Sequence, residues 1–334
     1  MTTVALFGAG RIGRIHAANL AALPGVRLKT ISDPQPQAAD ALAARHGAQA
    51  CADIDAVFAD ADIDAIVVAS PTTTHSDLIA RAAAARKHVF CEKPVDLSVA
   101  RAQACAEAVA AAGVACMIGF QRRFDPTFAA AKARLEAGDI GTPEMLVITS
   151  RDPGAPPLDY IRSSGGIFRD MLIHDFDVFR WILGENGRDE AAWLSATGSC
   201  LTDPAIADAG DIDSAAVTIR TRAGRLCQIN TSRRAAYGYD QRFEVLGSRG
   251  LLACGNHRPT EVSLLDAQGA HGDLPEHFFL QRYREAYRLE IEHFFTQLQT
   301  GGAFRTTVAD GVAAQRLADA AAQSLATGQP VVLD

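Results

Sequence analysis

An apolar run at 4–7 stops at Gly8-Ala9-Gly10-Arg11-Ile12-Gly13, and an alanine-rich stretch at 12–23 takes over. Three glycines at this spacing, between a strand and a helix, constrain the fold more than any other segment. The first permits a tight turn, the second lets a ligand approach the backbone, and the third lets the helix pack closely on the strand. Unpaired amides at the helix N-terminus then offer a site for phosphate. The pattern alone is common, so its surroundings decide. Asp33 ends the next apolar run, twenty residues after Gly13, where an acid hydrogen-bonds the ribose of a dinucleotide. Capping of the following helix is the plainer alternative for Asp33. A carboxylate there would repel a 2′-phosphate, and Pro34-Gln35-Pro36 brings no arginine to offset it. NAD is therefore expected rather than NADP.

The first 120 residues continue this alternation. Strands are expected at 4–7, 26–31, 65–69, 88–91 and 114–119, with a weak one near 48–51; helices at 12–23, 36–46, 76–86 and 98–112 lie between them. Such a pattern makes a parallel sheet covered on both faces. After Phe120 it changes. A helix at 128–137 and a strand at 144–150 precede a proline-rich loop at 152–157, and one helix then runs to about 183. Short turns join runs at 215–220 and 225–230, and again at 243–246 and 251–254, so antiparallel pairing is expected, with a further strand at 261–265. Helices at 283–299 and 308–324 finish the chain. The fold class is α/β: residues 1–120 form a Rossmann domain with a doubly wound parallel sheet. Residues 121–334 form an α+β domain with an open, mainly antiparallel sheet.

With 334 residues the chain can bury two cores. Hydrophobic residues at 48% and charged residues at 21% suit a globular protein, and a net charge of −7 disfavours nucleic acid and anionic membranes. Seven cysteines, odd in number and without a Cys-x-x-Cys pair, read as free thiols in a reducing compartment. No basic leader precedes the first strand, and no apolar run is long enough for a membrane span. The expected place is the cytoplasm, with no membrane or nucleic-acid partner.

Two later motifs carry chemistry. Within Gly165 to Asp177, Asp170 and His174 are four apart, so one helix would make them neighbours. A carboxylate beside an imidazole selects one tautomer and stabilises the protonated ring, which suits a base that takes a proton from an alcohol. Glu92-Lys93-Pro94 ends the fifth strand, on the sheet edge where such folds bind ligands. An ammonium there can stabilise a developing oxyanion; the proline permits a cis Lys93–Pro94 bond. A metal held by Asp170, His174, Asp175 and Asp177 is disfavoured, because Asp175 points off the face of the other three and Lys93 would bring a cation beside it. His16, His257 and His293 look isolated and receive no role.

The glycine loop, Ser70-Pro71-Thr72 with His75, Glu92-Lys93-Pro94, Gly119 to Asp125 and Gly165 to Asp177 together resemble the glucose-fructose oxidoreductase and inositol dehydrogenase family from end to end. With Tyr237-Gly238-Tyr239-Asp240, the likeness is strongest to the myo-inositol 2-dehydrogenases. The resemblance implies Lys93, Asp170 and His174 as the catalytic set. It places NAD against Gly8, Ala9, Gly10, Arg11, Ile12, Gly13, Asp33, Ser70, Pro71, Thr72, His75, Glu92 and Lys93. It places a polyol against Lys93, Gln121, Arg122, Asp170, His174 and one of Tyr237 and Tyr239. Some relatives carry methionine at Gln121, so the preferred stereoisomer stays open. A homotetramer is implied as well. The polar residues Arg122, Arg123, Asp170, His174, Asp177, Tyr237 and Tyr239 also suit a ring with many hydroxyls, since buried polar groups need partners. For Asp177 a tertiary salt bridge competes with substrate contact. The expected reaction is NAD-dependent oxidation of myo-inositol to the 2-keto-inositol. Scyllo-inositol, D-chiro-inositol or a pyranose sugar are alternatives, and a non-catalytic dinucleotide-bound sensor is the alternative of another class.

Overall fold

The computed structural model describes residues 1–184 and 189–333. The chain forms two compact units, Met1–Phe124 with Ala286–Gln315, and Asp125–Glu285 with Arg316–Asp334. Residues 286–315 return to the first unit after the chain has passed through the second. Aromatic packing accounts for that return: Phe294 stands edge-on to Phe90 at 5.9 Å, and both are fully buried.

The first unit runs β1 (Thr2–Phe7), α1 (Arg11–Ala22), β2 (Val26–Ser32), α2 (Pro36–His46), β3 (Gln49–Ala50), α3 (Ile54–Ala59), β4 (Ala65–Val68), α4 (His75–Ala84), β5 (His88–Glu92), α5 (Val99–Ala112) and β6 (Cys116–Gly119). All strands are parallel, in the order β3-β2-β1-β4-β5-β6. Central strands buried on both faces read as unbroken apolar runs, and β4, Ala-Ile-Val-Val, is entirely buried. Helix ends follow local chemistry. Asp53 and Ser98 cap α3 and α5 with their side chains, Pro36 opens α2, and Gly47 and Gly113 end α2 and α5 in the left-handed region. The short α3 was not legible as a helix, because it buries only Val57. Between β1 and β4 the strand order reverses, the place where open sheets take ligands. The loops leaving these two strands lie together, with Ala69 N donating to Phe7 O at 2.8 Å.

The second unit contains α6 (Pro126–Glu136), β7 (Pro143–Arg151), α7 (Leu158–Ser163), α8 (Ile167–Asp170), α9 (Ile173–Ile182), β8 (Ala191–Ser199), α10 (Pro204–Asp208), β9 (Ser214–Thr221), β10 (Leu226–Ser232), β11 (Asp240–Gly247), β12 (Gly250–Cys254), the hairpin β13 (Ser263–Asp266) and β14 (Gly269–Gly272), and α11 (Phe279–Arg282). Then come α12 (Arg284–Thr300), α13 (Val308–Thr327) and β15 (Val331–Val332). The large sheet has the order β12-β11-β7-β10-β9-β8-β15. It is mainly antiparallel, as expected, but β7 and β10 pair in parallel. A long excursion through α7 to β9 separates these two, and only tight turns force neighbours to be antiparallel. Alternation sets the faces: Leu146, Ile148, Val217, Ile219, Cys227, Ile229, Phe243 and Val245 are buried, while Gln228, Arg242 and Glu244 are exposed.

One expected element is corrected. The helix through Asp170 and His174 is two helices, α8 and α9, broken at Met171-Leu172. Leu172 N donates to Ile167 O, five residues back, at 3.1 Å, and His174 N reaches Met171 O at 3.4 Å. The i to i−4 ladder that would make positions 170 and 174 simple neighbours is therefore interrupted between them.

Asp213, buried before β9, shows how a turn is held by one carboxylate. It accepts from Leu201 N at 2.9 Å, Thr202 N at 2.7 Å, Thr202 Oγ1 at 2.8 Å and Ser214 Oγ at 2.9 Å. Burial alone would raise its carboxyl, but these donors hold it well below the usual carboxylate range. Asp213→Asn should therefore lower stability at neutral pH by roughly 1–3 kcal/mol. A depressed folded value means the difference is full above about pH 4 and is lost as pH falls through that value. Chemical denaturation across this range checks it; a constant difference down to strong acid would contradict it.

Candidate functional site

The first unit holds the residues expected to meet a dinucleotide. At Gly8, with φ of 104°, a Cβ would run into Ala69 O, and at Gly13 it would run into Gly8 O. These two glycines are where the strand, the loop and the helix press together. Gly10 differs: nothing lies within 4 Å of the Cβ position, so a phosphate can come close to the backbone. Gly10 caps α1 without any side-chain hydrogen bond, which leaves the first amides to a ligand. Ala9, Arg11 and Ile12 complete this turn. Asp33 lies just past β2, where Oδ2 accepts from Ala9 N at 2.7 Å and Oδ1 from Gln35 N at 2.8 Å. Each carboxylate oxygen has a lone pair left for a ribose hydroxyl. Among the described residues the set fits a dinucleotide in its open Gly10 cradle, uncapped helix and acid.

Ser70, Pro71 and Thr72 form the loop after β4, with Ser70 Oγ 2.6 Å from Thr74 Oγ1. His75 is buried, its Nδ1 2.7 Å from Pro94 O and its Nε2 2.9 Å from Ser70 O. Burial pushes this imidazole below its ordinary value, and a neutral ring donates through one nitrogen at a time. His75 thus ties the β4 loop to the segment beside Lys93. The Lys93–Pro94 bond is cis. Glu92 faces inward, with Oε1 2.7 Å from His16 Nε2, so His16 is not isolated as the sequence suggested. The same correction applies to His257, whose Nε2 is 2.8 Å from Thr127 Oγ1, and to His293, which accepts from Arg305 N at 3.2 Å. After β6 the buried turn Gln121–Phe124 follows. Arg123 pairs with Asp310 at 3.1 Å and donates to Arg305 O at 2.8 Å. Gln121 Oε1 is buried with no hydrogen-bond partner.

The second unit holds the acid and the imidazole. Asp170 Oδ1 accepts from Tyr160 OH at 2.8 Å, and Oδ2 is 3.2 Å from Nη1 of Arg233. Arg233 is fully buried, and its Nη2 reaches Asp211 at 3.1 Å. Asp211 in turn accepts from Ile167 N, at the start of α8, at 3.0 Å. One buried cation therefore joins Asp170 to the first turn of its own helix. His174, Asp175 and Asp177 are buried on α9. Tyr237 and Tyr239 differ in setting. The half-exposed Tyr237 donates to Asp240 Oδ2 at 2.6 Å and accepts from Arg151 at 2.8 Å. Tyr239 is buried edge-on to Tyr283 at 6.0 Å.

Sequence reasoning missed Tyr160, Asp211 and Arg233. For Arg233 a signal existed: Cys227, Ile229, Thr231 and Arg233 alternate on the buried face of β10 and its extension, where an arginine must find acids. The acids themselves come from distant segments, which alternation cannot identify. All seven cysteines are free thiols. Among the described residues no helix is long and apolar enough to cross a membrane.

Comparison with known proteins agrees along the chain. Residues 2–120 match the GFO/IDH/MocA oxidoreductase family, NAD-binding Rossmann fold, and residues 132–333 match that family's C-terminal alpha/beta domain. The chain is 48% identical to inositol 2-dehydrogenase of Rhizobium meliloti (strain 1021) over 96% of both proteins. The crystal structure of a myo-inositol dehydrogenase from Corynebacterium glutamicum ATCC 13032 superposes with a TM-score of 0.95 at 45% identity, covering 100% of this chain and 99% of that one. Scyllo-inositol dehydrogenase from Lactobacillus casei, solved with bound cofactor NAD(H) and scyllo-inositol, gives 0.93 at 27% identity over 99% of both chains. With a glycine cradle of the right shape and matches that span both units, the chain belongs to the GFO/IDH/MocA oxidoreductases and has their NAD-binding Rossmann fold.

Proposed function

We propose that this chain oxidises one ring hydroxyl of an inositol, myo-inositol to the 2-keto-inositol, with NAD as acceptor. The observation that carries the reading is Asp170, four residues before His174 and held by Tyr160 and the buried Arg233. A carboxylate fixed in this way, at the end of α8, suits the support of a base on the helix that follows, α9. His174 takes the hydroxyl proton, Asp170 sets the tautomer and steadies the imidazolium, and Lys93 stabilises the oxygen as charge develops. NAD, when bound, supplies the ring that accepts the hydride. Gln121, through its buried Oε1, and Arg122 hydrogen-bond other hydroxyls of the ring, as does one of Tyr237 and Tyr239.

In this reading residues 1–120 serve the cofactor, and residues 121–334 serve substrate and assembly. Asp33 selects NAD by its charge, beside Gly8 to Gly13, Ser70, Pro71 and Thr72, with His75 and Glu92 behind them. The protein works in the cytoplasm, where its thiols stay reduced. Copies assemble as a tetramer through the outer sheet face, where Leu246 and Leu251 are exposed beside Arg242 and Glu244. Scyllo-inositol is the second candidate substrate, since a relative of the same fold was solved with it bound.

His174→Ala should lower kcat by roughly 10²- to 10⁴-fold and leave NAD affinity within about twofold, because its contact is to substrate. In the parent protein oxidation should quicken as pH rises and His174 loses its proton; the variant should lose that slope. Steady-state kinetics and NAD titration read both. Equal loss of turnover and NAD binding, or an unchanged slope, would remove His174 from the reaction. The double variant Asp33→Ser with Pro34→Arg should shift kcat/KM toward NADP by at least about tenfold. Unchanged selectivity would take Asp33 away from the ribose.

A further inference from the structure

Behind the glycine loop lies a second cluster of ionisable groups. From α1 His16 points inward, fully buried, and its Nε2 is 2.7 Å from Oε1 of Glu92. From α12 Glu290 enters the same space, also at 0% exposure. One donor or acceptor atom from each of the three residues lies within 4.8 Å of the others. Both carboxyl oxygens of Glu290 and Nδ1 of His16 are buried with no hydrogen-bond partner. Aromatic rings pack against the imidazole: Phe90 of β5 edge-on at 5.1 Å, and Tyr287, one turn before Glu290, at 6.0 Å.

Charge decides how such a cluster can exist. Glu290 is fully buried and no protein donor is aimed at either carboxyl oxygen, so no protein group stabilises its ionised form. Glu92 stands close by and is better served, by the imidazole of His16. Two carboxylates this near one another, away from water, do not both ionise. We propose that Glu290 carries a proton at neutral pH and donates it into the Glu92–His16 pair, so that the three residues form one shared-proton site beneath Lys93. The acceptor open to the Glu290 hydroxyl is the Glu92 carboxylate, one oxygen of which lies within 4.8 Å of a Glu290 oxygen. His16, in the Nε2–H tautomer, donates to Glu92. The cluster then holds one negative charge instead of two. Burial first, and the charge of Glu92 second, push the Glu290 carboxyl well above its ordinary value.

The three residues come from α1, from the end of β5 and from α12. The site therefore pins the residue before Lys93 to the helix that begins at the glycine loop. Glu290 is a positioning residue in this account. Its effect on turnover rests on the role proposed above for Lys93, whereas its protonation does not.

The test uses the full chain and Glu290→Gln, with Glu290→Met as a second neutral variant in case the first does not fold. Infrared difference spectra at neutral pH should show the carbonyl stretch of a protonated carboxylic acid in the parent and not in either variant. Stability should separate them too. A folded carboxyl raised above its unfolded value loses stability as pH climbs from the ordinary carboxyl range toward the folded value. The Tm of Glu290→Gln relative to the parent should therefore rise with pH. If Lys93 acts as proposed, Glu290→Ala should turn over about tenfold more slowly than Glu290→Gln; equal rates with the infrared band present would overturn the positioning role and leave the protonation standing. A missing band, or parallel pH–stability curves, would overturn the proposal. So would a stoichiometric divalent cation in the purified protein that is lost in Glu290→Gln, because the cluster would then hold a metal in place of the proton.

Discussion

No side chain can be placed at Gly8 or Gly13. One would meet Ala69 O and the other Gly8 O, and from this close packing much of the first unit follows. With Gly13 pressed onto the loop, the rotation of α1 is fixed, and Gly13, His16, Ala17 and Leu20 turn inward at helical spacing. The same rotation does two things. It leaves the uncapped amides at Gly10 open to a phosphate, and it sets His16 against Glu92 at the end of β5. A cofactor cradle and a buried polar cluster are two consequences of one steric constraint.

The first unit was largely legible in the sequence, because a parallel sheet is written in short apolar runs and helix punctuation, both local signals. All six of its strands fall where expected, to within a few residues. Local signals fail where partners are distant. Nothing near β7 says that it pairs in parallel with β10. β8, Ala-Ala-Trp-Leu-Ser-Ala-Thr-Gly-Ser, is too weakly apolar to stand out, and its pairing with β9 and β15 makes it a strand. The break between α8 and α9 is likewise invisible in composition, since Met171 and Leu172 are good helix formers. Tertiary packing overrides them.

The candidate site shows the same division. Asp170, His174, Lys93 and the glycine loop were identifiable because each belongs to a compact motif. Arg233, Asp211 and Tyr160, which surround Asp170, come from separate segments. Glu290 lies 198 residues from Glu92 in sequence (290 − 92), and only the fold brings them together. What unites these groups is the cost of burying charge. Arg233 stays inside because two carboxylates meet it, Asp213 because amides and hydroxyls surround it, and Glu290 by the shared proton proposed for it. The groups that hold the candidate residues are thus spread through the chain, while the candidates themselves are concentrated in motifs.

The central claim is that this fold removes a hydride from an inositol ring and gives it to NAD. Absorbance of NADH formed by the purified protein, measured with NAD or NADP against a panel of inositols and pyranose sugars, tests it most directly. The account predicts NADH formation with myo-inositol, or failing that with another inositol, and much less product with NADP. NAD binding without reduction by any inositol in the panel would contradict it.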